Sequence, residues 1–335
     1  MSTMPFIQPS ISPLPATLDV SGQTIIVTGA SSGLGLEFSR QYLVRGVSTL
    51  VLAVRDVAKG EKTKTELLAD PEVRKSNNKA DIRVMQFDAA SYASIKRFLA
   101  TANQELKQLH ILMLNAGANG VTFAQTEDGH EQTIQVNHLA NAALLFGLLP
   151  LLEETAKQTG KPARVSVTGS RMYDTGPLCK EPASTVPQDL LGYLDDPKHF
   201  KGFTRYGDSK LLVLLFIHRL GKLYGSETVI INNFCPGMVD TPMTKNLPWY
   251  LRVPVAALST LRRARKVEHG GWVGLNAAAV AGHESHGQLI GDTQLEQIDN
   301  FYNSEAIKVL EERLWKDTTK EIAKVTDVPE WVKAH

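Results

Sequence analysis

Cysteine is scarce in this chain, with two among 335 residues, Cys179 and Cys235. That count argues against a disulfide framework and suits a reducing compartment, so the cytoplasm is the expected location. Acidic and basic residues nearly balance, at a formal net charge of +1, which leaves no electrostatic footprint for a nucleic-acid partner. The longest unbroken apolar run, Leu211 to Ile217, is far shorter than a membrane span. No lysine or arginine precedes Arg40, so the basic head of a signal or transit peptide is not expected. Internal repeats and low-complexity linkers are missing too. The nine histidines suggest no metal site: His283-Glu-Ser-His286 reads as a polar loop, and no metal is expected.

What the chain does contain is 43% hydrophobic and 21% charged residues, enough to bury a large core. After an unpatterned opening of about twenty residues, apolar runs alternate with helical patterns. Strands are predicted at Thr24–Thr28, Thr49–Val54, Ile82–Phe87, His110–Leu114, Arg164–Thr168 and Thr228–Phe234, with a short one at 287–291. Helices are predicted between them, including a long one from about Glu127 to Lys157 that Pro150 should kink, and one at Tyr206–Tyr224. Near-continuous apolar strands separated by helices specify an α/β fold, a doubly wound parallel sheet covered on both faces. Its expected limits are an arm at 1–21, a domain at 22–291 and a helical extension at 292–335.

The turn Thr28-Gly-Ala-Ser-Ser-Gly-Leu-Gly35 follows the first strand and opens a helix. Backbone at Gly29, Ser31, Ser32, Gly33, Leu34 and Gly35 can there approach a pyrophosphate at the helix N-terminus. The second strand ends Ala53-Val54-Arg55, with no carboxylate before Asp56. A guanidinium fits a 2′-phosphate, which favours NADP(H); a solvated charge is the alternative for Arg55. Asp88 closes the third strand, either accepting from an adenine amino group or capping the next helix. Asn115-Ala116-Gly117 ends the fourth strand with small residues that leave room for a cofactor.

Three further features carry chemistry. Asn137 interrupts an apolar helix, as a locally satisfied polar residue or as the holder of a water for proton relay. Ser170 closes the fifth strand, where ligands bind in such folds, although Ser166 and Thr168 alternate with it. Tyr206 and Lys210 stand at i, i+4 on one helix face, an arrangement in which an ammonium can draw a phenol's pKa down. Tyr92-Ala-Ser-Ile-Lys96 has the same spacing but no serine-bearing strand before it, and reads as a surface helix start. Late in the chain, Cys235-Pro236-Gly237-Met-Val239-Asp-Thr241 follows the sixth strand, with Val239 and Thr241 placed to meet a nicotinamide carboxamide.

In this order, Thr-Gly-x3-Gly-x-Gly, Asn-Ala-Gly, the in-helix Asn, the strand-end Ser, Tyr-x3-Lys and the late Pro-Gly resemble the short-chain dehydrogenase/reductase family over roughly residues 22–291. The run after the second strand is similar to the NADP-using retinol-dehydrogenase-like branch and to fungal ketoreductases of secondary metabolism. The resemblance implies a Rossmann-type sheet, Tyr206 as acid/base, Lys210 as ribose ligand and phenol tuner, Ser170 as carbonyl positioner and Asn137 as water holder. It departs in spacing: Ser170 and Tyr206 lie further apart than in compact members, so a loop insertion at about 171–205 is expected to shape the substrate site. A second, at 238–267, carries Met243, Leu247, Trp249, Tyr250, Leu251 and Val253. It is expected to be a lid, core packing or, more weakly, a membrane-surface contact.

The expected activity is NADP(H)-dependent reduction of a bulky apolar ketone. Alternatives are oxidation of a retinoid- or steroid-type alcohol, and a non-catalytic NADPH-binding regulator. The basic run at 262–266 reads as a solvated face. The apolar helix around Leu211–Ile217 calls for a cover, from a homodimer partner or from the insertion before Tyr206.

Overall fold

The computed structural model describes residues 7–77, 79–241, 260–261 and 264–333. In it the apolar runs become β1 (Thr24–Thr28), β2 (Thr49–Val54), β3 (Asp81–Gln86), β4 (Ile111–Leu114), β5 (Ala163–Thr168), β6 (Val229–Cys235) and β7 (Leu289–Gly291). A short β8 (Gln294–Leu295), which has no signal in the sequence, returns antiparallel to β7. All other pairings are parallel, in the order β3-β2-β1-β4-β5-β6-β7-β8. The chain winds outward from β1 to β3 and then restarts at β4 on the other side of β1. That reversal opens a crevice at the carboxyl ends of the strands.

Among the described residues eleven α-helices clothe the sheet and its ends: α1 (Gly33–Val44), α2 (Val57–Ala69), α3 (Pro71–Ser76), α4 (Tyr92–Glu105), α5 (Gln132–Thr159), α6 (Leu190–Asp195), α7 (Gly202–Leu223), α8 (Val267–Leu275), α9 (Asp299–Tyr302), α10 (Glu305–Ile322) and α11 (Glu330–Lys333). Their starts follow local chemistry. Asp56 caps α2 by accepting from Lys59 N–H (3.0 Å), and Ser91 caps α4 by accepting from Ser94 N–H (3.3 Å). The cap of α4 is therefore Ser91 and not Asp88. α5 is long and apolar enough to cross a membrane, yet 83% of its most apolar window is buried inside the protein. It is the core helix of one face, and Pro150 lies within it.

The apolar side chains form two clusters, one on each face of the sheet. The opening arm belongs to the second: Ile11, Leu14 and Val20 are all buried. Part of the cover on α7 comes from the insertion before Tyr206, whose Arg171–Asp174 turn packs against it, and part from the carboxyl-terminal α10, which no sequence pattern linked to it. Trp315 of α10 stacks on Phe216 (5.4 Å between centroids) and meets Phe146 of α5 edge-on at 6.4 Å. His218 of α7 pairs with Glu311 (2.5 Å) and stacks on Tyr302 at 3.5 Å. Tyr92 also departs from expectation. It starts α4, but it is buried, packs on His130 and donates toward Glu321 (3.5 Å).

Removal of the Trp315 ring opens a cavity between three helices. Trp315→Ala is expected to lower unfolding stability by about 3–5 kcal/mol, read by chemical denaturation, while Trp315→Phe retains most of it. A loss near zero for Trp315→Ala would show that α10 does not hold the core.

Candidate active site

The ends of β1, β4 and β5 are tied together by side chains. Thr28 Oγ1 accepts from the backbone N–H groups of Asn115 (2.8 Å) and Ala116 (2.9 Å), while Asn115 Nδ2 donates to Thr28 O (3.0 Å). Thr168 Oγ1 reaches Asn115 Oδ1 at 3.3 Å. Above this tie the turn into α1 passes through Gly29 and Gly33 at φ 67 and 55, values that favour glycine. A Cβ on Gly35 would collide with the Gly29 carbonyl, so only glycine lets α1 lie this close to β1. Ser32 is the N-cap residue in extended conformation, and its side chain makes no capping bond. The first-turn N–H groups are thus left to an anion, and the turn fits the pyrophosphate of a dinucleotide.

At the end of β2, Arg55 is exposed and makes no ion pair with any described residue. Its neighbour Asp56 is spent on capping α2. Asp88 is half-buried, with Oδ1 accepting from Ala90 N–H (3.0 Å). A Cβ on Gly117 would stand 3.3 Å from Asn137 Oδ1, a tight contact that only a small shift of the asparagine relieves.

The reactive groups come from β5, α5 and α7. The three candidate hydroxyls on β5 separate cleanly. Ser166 is bonded to Asn232 Oδ1 (2.7 Å) and Thr168 to Asn115, whereas the Ser170 hydroxyl, just past the strand, accepts from Met172 N–H (3.1 Å) and lies close enough to the Tyr206 phenol to influence its ionisation. Lys210 is 4% exposed, donates through Nζ to Thr168 O (2.7 Å) and lies 5.4 Å from the centroid of the Tyr206 ring. Asn137 occupies a five-residue π-helical stretch, Gln135–Leu139, at the head of α5. Such bulges often mark functional sites. Its Nδ2 donates to Ala118 O (2.9 Å) and Ser209 Oγ (2.9 Å), and its Oδ1 accepts from Ala118 N–H (2.7 Å). Ser209 in turn donates to Tyr206 O (2.7 Å), so the asparagine side chain is coupled to the helix turn that bears the tyrosine.

The pKa expectation for Tyr206 is not met. The residue is half-buried, and desolvation pushes its phenol above 10, with the Cys235 thiol acting in the same direction and the nearby Ser170 hydroxyl as the one influence downward. Burial also lowers Lys210, to about 8. Desolvation disfavours the charged form of both groups, so at neutral pH the phenol holds its proton, while the amine is still mostly charged and reaches its midpoint only near pH 8.

Pro236 and Gly237 follow β6, Gly237 at φ 79. Val239 pairs with Arg265 in a parallel bridge, and it meets Leu34 over Gly270 of α8. Thr241 ends this described stretch. Pro242 to Val253, including the aromatic residues expected in a lid, lie outside the described residues. Arg265 corrects the reading of its basic run as a solvated face: it is 5% exposed and bonded to Pro236 O (2.9 Å). Arg262 and Arg263 lie outside the described residues. Arg265, Arg171 and Ser209 are site residues that sequence reasoning passed over. A charge embedded in a basic run, or a serine beside a tyrosine, carries no local mark of burial.

The family model described as short chain dehydrogenase matches residues 23–175. The chain is 41% identical to the short-chain dehydrogenase/reductase tropG of Talaromyces stipitatus over 97% of its length and 98% of that protein. It is also 41% identical to the short chain dehydrogenase macD of Penicillium terrestre, over 98% and 99% of the two chains. Among solved structures, the RhlG/NADP active-site complex of Pseudomonas aeruginosa shares the fold at a TM-score of 0.59 and 23% identity, covering 83% of this chain and 97% of that one.

The Lys210 amine is expected to titrate near pH 8, against an ordinary 10.5. NMR of labelled lysine side chains, with Lys210→Arg to assign the signal, reads this directly. Titration at the ordinary lysine value would mean the amine is not desolvated.

Proposed function

The chain belongs to the short-chain dehydrogenase/reductase family, and from that premise we propose that it is an NADP(H)-dependent ketoreductase acting on a bulky, largely apolar, polyketide-like ketone in secondary metabolism. The observation that carries the reaction is geometric: Tyr206 and Lys210 share one face of α7 beside the end of β5 and Ser170, and desolvation of the phenol, which keeps its proton on, favours reduction. Reduction of a carbonyl calls for a proton donor at the oxygen, and a phenol that keeps its proton at neutral pH is in the competent form. Oxidation of an alcohol would need the phenolate, which burial disfavours.

In this reading the bound cofactor supplies the hydride. Ser170 and Tyr206 hold the carbonyl oxygen between two hydroxyls, and Tyr206 gives it a proton. Lys210, on the same face of α7, binds the cofactor ribose and offsets charge developing on the phenol oxygen. Asn137 is assigned the water that resupplies the proton because the family resemblance implies it; its side chain itself is bonded to Ala118 and Ser209. Gly29 to Gly35, Asp88, Asn115 and the Pro236–Thr241 loop line the cofactor, and exposed Arg55 takes the 2′-phosphate. The apolar substrate class is supported by Phe203, 69% exposed and one turn before Tyr206, and by the Phe123–Phe200 pair nearby. The apolar composition of 238–267 points the same way. The two free thiols support a cytoplasmic location. A homodimer would use a surface other than α7, whose apolar side is taken by α10.

Tyr206→Phe is expected to lower turnover at least ~100-fold, the scale of general-acid catalysis, with cofactor affinity unchanged. Tyr92→Phe should leave turnover nearly intact, because its phenol faces Glu321. Consumption of NADPH with a panel of ketones measures both, and equal losses would sink the assignment. Arg55→Ala should weaken NADPH binding by roughly 1.5–3 kcal/mol and leave NADH binding little changed. Equal losses for both cofactors would remove the basis for preferring the phosphate.

A further inference from the structure

The turn Pro236–Gly237–Met238 is gripped from outside by the amino-terminal arm. Gln8 Nε2 donates to Met238 O (2.9 Å) while its Oε1 accepts from Met238 N–H (2.6 Å), so one amide meets both backbone groups of one residue, whose carbonyl also accepts from Arg265 N–H (2.9 Å). A Cβ on Gly237 would run into Gln8 Oε1 and the Arg265 guanidinium; the arm is in direct contact with the turn. Arg265 donates to Pro236 O (2.9 Å) on one side and to Pro9 O (3.1 Å) on the other, joining arm and turn through one buried guanidinium.

Behind this grip stands a chain of charges that leads to Ser170. Arg265 also donates to Asp292, and Asp292 accepts from Arg171 Nη1 (2.7 Å). Arg171, next to Ser170 in sequence, sends its backbone N–H to Cys235 Sγ (3.3 Å), the atom group just before the gripped turn. Asp292 and Thr293 form the β7–β8 turn at φ 53 and 69, a conformation unfavourable for a β-branched residue. Two arginines on the Asp292 carboxylate offset that strain. The arm does not need Gln8 to stay attached, because Ile11, Leu14 and Val20 are buried in the core.

We infer that Gln8 is a positioning residue for the nicotinamide half of the cofactor site, acting through the 236–238 turn, with Arg265, Asp292 and Arg171 as its buried support. The inference rests on the reading that this chain binds a nicotinamide dinucleotide. The adenosine half belongs to the β1–α1 turn and the end of β2, on the other side of the sheet order from β6. The arm should therefore influence one half of the ligand and not the other.

The experiment compares full-length wild type, Gln8→Met and Gln8→Glu for Kd with NADPH and with 2′,5′-ADP, which carries no nicotinamide, alongside melting temperature and kcat. Gln8→Met fills the same volume and loses both bonds. Its NADPH Kd is expected to rise about tenfold and its kcat to fall, with 2′,5′-ADP affinity within about twofold of wild type. Gln8→Glu keeps the acceptor for Met238 N–H and should fall between the two. Ile11→Ala is the packing control, expected to lower the melting temperature without changing the ratio of the two Kd values. Equal weakening of both ligands by Gln8→Met, or no weakening of either, overturns the inference. Wild-type protein that binds neither NADPH nor NADH overturns the cofactor reading itself, before any variant is measured. If wild type binds only NADH, the same comparison is made with NADH and AMP, and only the phosphate preference is lost.

Discussion

The hydrogen bond from Lys210 Nζ to the Thr168 carbonyl is the interaction on which the site depends. It fastens α7 to the end of β5, and that places the phenol of Tyr206 beside the hydroxyl of Ser170. An amine inside a protein loses hydration, and the cost appears as a pKa pushed down to about 8. The carbonyl it meets is free for it because β5 ends there, as a strand end at the open side of a parallel sheet must. A reactive ammonium and a strand terminus thus satisfy one another, and the helix register of α7 then sets where the tyrosine stands.

A second polar thread runs through an otherwise apolar layer. Asn137 is fully buried, yet its side-chain donors and acceptor all meet partners, on Ala118 and Ser209. Buried polar groups that are fully bonded rigidify their surroundings; partly bonded ones destabilise them. The π-helical stretch turns this asparagine out of the regular helical register, toward the loop after β4 and toward α7. Through Ser209 the thread arrives at the Tyr206 backbone. Lys210 and Asn137 therefore fix the same helix turn from two sides, one through β5 and one through α5.

Both ends of the chain are built into this arrangement. At the carboxyl end, α10 lays Trp315 over Phe216 and covers the apolar side of α7, which lets a helix apolar all around exist without another subunit on that side. At the amino end, the arm reaches past the first strand to Met238. Arg171 and Arg265 would be costly buried alone; sharing Asp292, they become supports for the turn that follows β6.

The linear order of residues determined the sheet and most of the site. Continuous apolar strands specified the parallel sheet, the glycines of 29–35 marked the anion turn, and Tyr206 with Lys210 named the reactive helix face, because each of these signals is carried by neighbours within a few residues. Tertiary structure alone decided the rest. Tyr92 and Tyr206 share a spacing to lysine, and only the fold sends one to Glu321 and the other to Ser170. The ionisation of Tyr206, raised by desolvation where proximity to a lysine suggested the opposite, depends on how much of the surrounding protein comes from distant segments. The burial of Arg265, the grip of Gln8 on Met238 and the cover that Trp315 provides have the same origin. Each joins residues far apart in the chain, and sequence spacing carries no record of which distant surfaces will meet.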